Sequence, residues 1–174
     1  MSCAVVYSRA FCGIHAPLVT VEAHISSGLP RFSIVGLAET AVKESKDRVR
    51  SALLNSHFDF PASRITVNLA PADLPKDGGQ FDLPIALSIL GASGQLPKES
   101  FLSYEFAGEL GLRGDLRGMN GVLPFALAAS LAKRNLLIPK INAFASFLID
   151  DLVLFVADNL LEVYAHLTGS KKLL

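Results

Sequence analysis

A polar loop, Lys76-Asp77-Gly78-Gly79-Gln80, stands between a predicted strand and a long apolar segment. Loops at strand-to-helix junctions can place a nucleophile or turn backbone N–H groups toward a phosphate. Three carboxylates, Asp73, Asp77 and Asp82, surround this loop. They could bind a metal ion or act as a general base. The alternative is that they cap turns and the start of the following helix.

The usual short motifs of catalysis and nucleotide binding are absent from the sequence. No glycine is followed by lysine as in a Walker A loop, and no two glycines are separated by one residue as in a dinucleotide fingerprint. Neither H-E-x-x-H nor G-x-S-x-G occurs. The four histidines are scattered, and Cys3 and Cys12 alone make neither a disulfide framework nor a zinc site. The sequence therefore predicts no metal site and no complete catalytic set.

Two groups of basic residues are candidates for contact with nucleic acid. Arg113 and Arg117 lie in the glycine-rich stretch 106–121, which is typical of a hairpin, and arginine pairs well with phosphate. A second group follows one ridge of a predicted helix at i, i+3 and i+7. Its members are Lys43, Lys46 and Arg50. The alternative for this ridge is a solvated face, balanced by Glu39, Glu44 and Asp47.

Composition limits the protein class. The 174 residues fit one domain, with 51% hydrophobic residues for its core. Lysine plus arginine equals aspartate plus glutamate, so any binding of nucleic acid must come from a local patch. Charged residues make up only 18%, which suggests a surface covered by a partner or a further domain. Without a signal peptide or a membrane-length apolar run, the chain is predicted to be cytoplasmic, with no membrane contact.

Hydrophobic periodicity predicts a mixed-sheet α/β fold. The first three strands, 4–11, 17–25 and 31–35, look like an antiparallel meander. Helices are predicted at 40–56, 82–92, 122–134, 143–148 and 159–167, and further strands at 64–69, 136–139 and 152–156. Asp82 is a candidate N-cap, and Pro84 falls in the first turn of its helix, where proline is tolerated. Residues 169–172 look like a linker.

Two long segments together resemble a known family. They are GLPRFSIVGLAETAVKESKDRVRSALLNS and RITVNLAPADLPKDGGQFDLPIALSIL. Both closely resemble the N-terminal domain of the magnesium-chelatase-like AAA+ proteins, the ComM/YifB family, and the likeness extends to about Gly169. In that family the domain is similar to the proteolytic domain of Lon. The resemblance implies the α/β (α+β) fold that Lon shares with GHMP kinases and the second domain of a small-subunit ribosomal protein.

The same resemblance implies a counterpart for the polar loop, the catalytic loop of Lon-type proteases. Lon-type proteases carry P-K-D-G-P-S-A-G, with the serine as nucleophile, and a lysine about forty residues later as its base. Counting through the match puts Gln80 at the serine and Leu123 at the lysine. Because glutamine is no nucleophile and leucine is no base, the resemblance implies a degenerate loop without peptidase activity. The residues of this degenerate loop are Lys76, Asp77, Gly78, Gly79, Gln80 and Leu123.

The resemblance also implies a setting for the domain. Residues 1–168 would form the Lon-like domain, and 169–174 would begin a linker to an AAA+ module that holds ATP and magnesium, with no cofactor in this segment. The whole protein would be a homo-hexameric DNA motor that promotes branch migration in natural transformation, and this domain would contact DNA and support the ring. The alternatives are a structural or partner-docking domain of a chelatase-type chaperone, and a hydrolase with Asp77 or Asp82 as base.

Overall fold

The computed structural model describes residues 2–36 and 38–173. Within these ranges, seven strands form one mixed sheet in the order β3-β4-β2-β1-β5-β8-β9, and β6 with β7 forms a small hairpin. The strands are β1 Ser2–Arg9, β2 Leu18–Ser26, β3 Arg31–Val35, β4 Arg64–Ala70, β5 Tyr104–Phe106, β6 Glu109–Leu110, β7 Leu116–Arg117, β8 Asn135–Pro139 and β9 Leu154–Ala157. The helices are α1 Thr40–Lys43, α2 Ser45–Asn55, α3 Asp82–Ala92, α4 Val122–Leu131 and α5 Leu160–Leu167. The mixed α/β architecture predicted from the sequence is confirmed.

In the first half of the sheet, the predicted antiparallel meander of β1, β2 and β3 is wrong. β1 pairs antiparallel with β2, as expected from their alternating side chains. However, β3 does not pair with β2, because β4 lies between them, antiparallel to β2 and parallel to β3. The buried residues of β4 are Ile65, Val67 and Leu69, which gives it one apolar face toward the core. In this central position, β4 forms backbone hydrogen bonds along both of its edges. The pairing of β3 with β4 is non-local in the sequence.

The central helix, α3, fixes the position of the polar loop. Every residue from Asp82 to Ala92 is buried, and the helix packs on β1, β2 and α2. An apolar helix of this kind is stable only inside a core, because it has no polar face for water. Pro84 falls in the first turn, where its missing N–H removes no intrahelical bond. The loop that precedes α3 is therefore held against a rigid element.

Three predicted helices differ from the structure by more than one residue. The predicted helix at 40–56 is two helices, because the chain makes a turn at Glu44 between α1 and α2. The predicted helix at 143–148 is a longer 3-10 segment, Lys140–Phe147. α4 ends three residues earlier than predicted, and Lys133 adopts a left-handed backbone conformation just after it. Such a residue terminates a helix in the same way as a C-terminal glycine.

Apolar side chains form two clusters on the two sides of the sheet. The larger cluster joins α2, α3 and α5 to the strands. The smaller cluster lies under α4 and the 3-10 segment and contains Phe125, Ala126, Leu136, Ile138 and Ala145. Leu137, between Leu136 and Ile138 on β8, belongs to the larger cluster. Because neighbouring residues of a strand point to opposite faces, β8 is buried on both sides.

Candidate functional site

The polar loop forms one wall of a groove of about 410 Å³. After β4 the chain runs through Pro71–Gly78 into a 3-10 turn, Gly79–Phe81, and then directly into α3. Glycine at position 78 is needed because its φ is +93°, which side-chain-bearing residues rarely adopt. The opposite wall comes from the hairpin and from the segment before α4. The lining residues are Phe11, Pro75, Asp77, Gly78, Gly79, Gln80, Glu109, Gly118, Met119 and Asn120.

Lys76 lies in the loop but does not line the groove. Its side chain is fully buried, and Nζ donates to the carbonyl oxygen of Gly36 at 2.6 Å and to that of Pro71. Its own backbone oxygen accepts from the N–H of Glu39 at 3.0 Å. Burial lowers the pKa of Lys76. This lysine therefore ties the loop to the segment after β3, which is a structural role.

Gln80 lies where the resemblance places a nucleophile, and it is 5% exposed. Its Nε2 is buried and has no hydrogen-bond partner among the described residues. Beside it, the Glu109 side chain approaches Gly79 so closely that a Cβ at position 79 would overlap the carboxylate. Gly79 and Glu109 therefore lie in direct contact in the lining of the groove, and a side chain at position 79 would require the Glu109 carboxylate to move.

Asp82 does not cap α3 as predicted. It is the first residue of the helix, after Phe81 at the cap position, and its side chain turns toward α2 instead. Its carboxylate accepts from Arg48 Nε at 2.7 Å, from the Ser45 hydroxyl and from the N–H of Leu110 at 3.1 Å. Burial raises the pKa of Asp82, and the hydrogen bonds from Arg48 and Ser45 oppose that shift. With these donors occupied, Asp82 holds α2, α3 and the hairpin together.

Leu123, at the expected position of the lysine base, lies in the first turn of α4 and is 39% exposed. It is absent from the lining of the groove, which contains Met119 and Asn120 instead. The carboxylates Asp77 and Glu109 both line the groove, whereas Asp73 does not. Neither Glu109 nor Asn120 was among the site residues predicted from the sequence. The one sequence signal for Asn120 was its position just before the predicted helix at 122–134.

The groove is acidic. Two of its lining residues, Asp77 and Glu109, carry carboxylates, and none of those that line it in the described chain is a lysine, arginine or histidine. These carboxylates would repel a phosphate group, and no cation among the described lining residues offsets them. The described residues also include no group of three or more histidine, cysteine, aspartate or glutamate side chains placed to hold a metal ion. The groove suits a neutral or cationic ligand.

The two arginines of the hairpin are exposed, as a contact with phosphate requires. Arg113 lies in the turn between β6 and β7, and Arg117 lies on β7 opposite Glu109. The turn is anchored because Asn55 Nδ2 donates to the Leu112 oxygen at 2.7 Å. Arg117 lies 3.5 Å from the Asp115 carboxylate, and both side chains are more than half exposed. A pair of this kind is weak and can exchange for a phosphate.

The predicted ridge of Lys43, Lys46 and Arg50 is not a single helix face. Lys43 ends α1, whereas the other two belong to α2. Arg50 is exposed and lies over the Phe60 ring, 5.5 Å from its centroid. At 100° per residue, Lys46 and Arg50 lie on a different side of α2 from Asn55, which contacts the hairpin. The five basic candidates therefore form two separate surfaces rather than one.

No helix that the structure describes has the length and apolar character needed to cross a membrane.

Comparison with known proteins gives consistent matches. The profile of the family described as subunit ChlI of Mg-chelatase matches residues 21–142. The chain is 56% identical to competence protein ComM of Haemophilus influenzae over 173 residues. It is 51% identical to an uncharacterized protein YifB of Salmonella typhimurium and 49% identical to YifB of Escherichia coli, each over 173 residues. Each of these alignments covers 99% of this chain and 34% of the relative.

This chain thus spans about a third of the length of the relatives that it matches. The matched region includes the polar loop, the hairpin and the segment before α4, which together form the groove. Identity of this extent over nearly the whole chain shows the family. The chain belongs to the Mg-chelatase ChlI-like family that includes ComM and YifB.

Proposed function

We propose that this chain is a non-catalytic, DNA-contacting domain of an ATP-driven hexameric motor that promotes branch migration in natural transformation and recombination. Its similarity to a protein named competence protein ComM supports this proposal. The ATP and magnesium of such a motor would be held by a further AAA+ module, since the relatives are about three times as long as this chain. The domain would act from the cytoplasm and would contribute to ring assembly.

One observation carries the non-catalytic part of the proposal. The loop that would hold a nucleophile presents Gln80, and its one lysine, Lys76, is buried with Nζ on two carbonyl oxygens. Within the described residues, the lining of the groove includes no serine, cysteine, threonine, lysine or histidine. Peptide hydrolysis of the Lon type needs a nucleophile and a base within hydrogen-bond reach of each other. Asp77 and Glu109 alone do not supply such a nucleophile–base pair.

The DNA-contacting part of the proposal rests on the hairpin. Arg113 and Arg117 are exposed on an element whose turn is fixed to the end of α2 through Asn55. Because the backbone of this turn is held in place, binding of a phosphate has less chain to order, and the planar donors of arginine fit two phosphate oxygens. Because the net charge is zero, DNA would meet a local patch rather than a general positive field. Lys43, Lys46 and Arg50 form the second candidate surface.

A second function, docking of a protein partner without DNA, is favoured by the acidic groove. Asp77 and Glu109 line it without a cation among the described lining residues, so it would repel phosphate and attract a basic peptide segment. In this alternative the domain would serve a chelatase-type chaperone. The two functions differ in the surface used, since Arg113 and Arg117 serve only the first.

Anisotropy of fluorescent DNA with the purified chain separates the two functions. We expect binding that weakens steeply with salt and that is reduced by R113A/R117A but not by D77N/E109Q. Binding that is unaffected by the arginine variant would refute the hairpin surface, and an equal loss with K43A/K46A would move the contact to α1 and α2. In the same preparation, hydrolysis of fluorescent casein should stay at the buffer rate, and turnover abolished by D77N would overturn the non-catalytic assignment.

A further inference from the structure

α4 is apolar on both of its sides. Its sequence, VLPFALAASL, contains no charged residue. One side packs Val122, Phe125 and Ala126 into the smaller core cluster. The other side exposes leucines at i, i+4 and i+8, with Leu127 51% and Leu131 76% exposed. A helix that is apolar all round is normally buried on all sides, so the outer side of α4 lacks a covering element in this chain.

A second apolar row lies beside α4. The 3-10 segment Lys140–Phe147 exposes Ile141, Phe144 and Phe147, which are three residues apart and therefore share one side of a 3-10 helix. Phe147 is 87% exposed. The segment runs along α4: the N–H of Met119 donates to Asn142 at 3.0 Å near one end, and Ser130 Oγ donates to the Asp150 oxygen at 3.3 Å near the other. The two rows form one surface, here named the outer apolar face: Leu123, Leu127, Leu131, Ile141, Phe144 and Phe147.

The size of the outer apolar face fits a protein–protein contact. On average about 60% of each of its six residues is exposed. With roughly 150 Å² for each side chain, the lower end of the range for aromatic residues, the exposed area is on the order of 600 Å². That is at the upper end of the patches found on monomers. It also reaches the ~600 Å² per partner at the lower end of specific interfaces.

We propose that the outer apolar face binds the same face of a second copy of this chain, related by a two-fold axis. Such a contact must be self-complementary, because each residue meets its own surroundings on the partner. Leu123, Leu127 and Leu131 form an i±4 ridge, and two identical ridges of this type interlock at about −50°. None of the six residues of the face is charged, so pairing through them would bury no charge.

The ridge geometry makes Leu127 the most sensitive position. As the middle leucine of three, it lies nearest the two-fold axis and opposite Leu127 of the second copy. Sedimentation velocity of the chain from about 1 to 200 µM should show reversible pairing, from 18.6 kDa toward twice that mass. Leu127→Glu and Leu127→Lys would each place like charges at the axis, and each should weaken pairing at least about thirtyfold. An equimolar mixture of the two variants should regain the dimer, because the charges are then opposite.

Leu29 supplies the matched control, because it is 89% exposed and lies outside the outer apolar face, between β2 and β3. Leu29→Glu should pair as the unchanged chain does. All variants alter exposed side chains and should keep the circular dichroism spectrum and thermal midpoint of the parent. A chain that stays monomeric over the whole range, a dimer that persists in Leu127→Glu, or a mixture that stays monomeric would overturn the proposal. The assay contains no DNA, so its outcome does not depend on whether the chain binds DNA.

Discussion

Arg48 Nε lies 2.7 Å from Asp82 Oδ2, which joins the middle of α2 to the first turn of α3. The same carboxylate accepts the Ser45 hydroxyl and the N–H of Leu110 at the start of the hairpin. One side chain therefore fixes the positions of three elements around the polar loop. Asp82 itself is fully buried, so its charge is compensated only by these donors.

Replacing Asp82 by asparagine should destabilise the chain by about 3 kcal/mol, because the half-buried Arg48 would lose the charge of its partner. The measurement is the free energy of unfolding from urea titration at neutral pH. The exposed pair of Asp115 and Arg117 supplies the control, and Asp115→Asn should change the free energy by less than ~0.5 kcal/mol. Equal losses in the two variants would contradict a structural role for Asp82.

Lys76→Met should destabilise the chain by about 2 kcal/mol or more. Methionine keeps the apolar stem, but the carbonyl oxygens of Gly36 and Pro71 lose their donor. Urea titration gives the value, and Lys98→Met, on an exposed lysine, serves as the control with little expected change. A variant as stable as the parent would mean that the lysine is kept for a reason other than the fold.

Gln80→Met should leave stability unchanged or raise it by up to ~1 kcal/mol, because it removes a buried Nε2 that has no partner in the described chain. Gln95→Met is the opposite case. Gln95 donates to the Asp59 oxygen and accepts its N–H, both at 2.9 Å, so its loss should cost ~1 kcal/mol. A clear loss of stability in Gln80→Met would show that the amide has a hydrogen-bond partner after all.

Patterns along the chain predicted much of this fold, and the misses have physical causes. The alternation of β2 and the apolar run of α3 depend on neighbours in sequence, so they could be read directly. The pairing of β3 with β4 depends on contacts about thirty residues apart, which periodicity does not encode. The Asp82 side chain turns toward Arg48 and Ser45 because tertiary contacts override the local preference for a helix cap.

Some features of the candidate site could likewise be predicted from the sequence, and others could not. That Gln80 and Asp77 border one groove could be expected from the loop alone. The burial of Lys76 could not, because its partners are main-chain oxygens, which every residue carries. The contact of Asn55 with Leu112 places the hairpin on one side of α2. Arg113 is therefore separated from Lys46, which lies on another side of the helix.

Acidification should destabilise the chain through His166. Its Nδ1 accepts the N–H of Leu173 at 3.0 Å, so the neutral ring carries its proton on Nε2, 2.9 Å from the Tyr104 hydroxyl oxygen. Burial, and then the charge of Lys172, lower the pKa of His166 below its ordinary value of 6.5. Between the two pKa values, the unfolded chain therefore binds a proton at His166 and the folded chain does not. This contribution to stability is complete above pH 6.5 and is lost as the pH falls toward the folded pKa.

Urea midpoints at about pH 7.5 and 5.5 test this prediction. His166→Gln removes the titrating group, so the variant should lose less stability between the two pH values than the parent does. The comparison cancels the carboxylates that titrate in both proteins. Identical pH profiles of the parent and the variant would show that His166 does not contribute.

We propose that Arg113 and Arg117 give this chain a surface that binds DNA. The most direct measurement is fluorescence anisotropy of single-stranded and four-way-junction DNA, titrated with the chain at several salt concentrations. We expect micromolar or tighter binding at low salt, with R113A/R117A reducing affinity about tenfold and the slope of log affinity against log salt by 1.4–1.8, or about 0.7–0.9 per arginine. K98A/K171A removes two exposed charges elsewhere and should leave both unchanged. Absence of binding at low salt, or equal effects of the two double variants, would contradict the account.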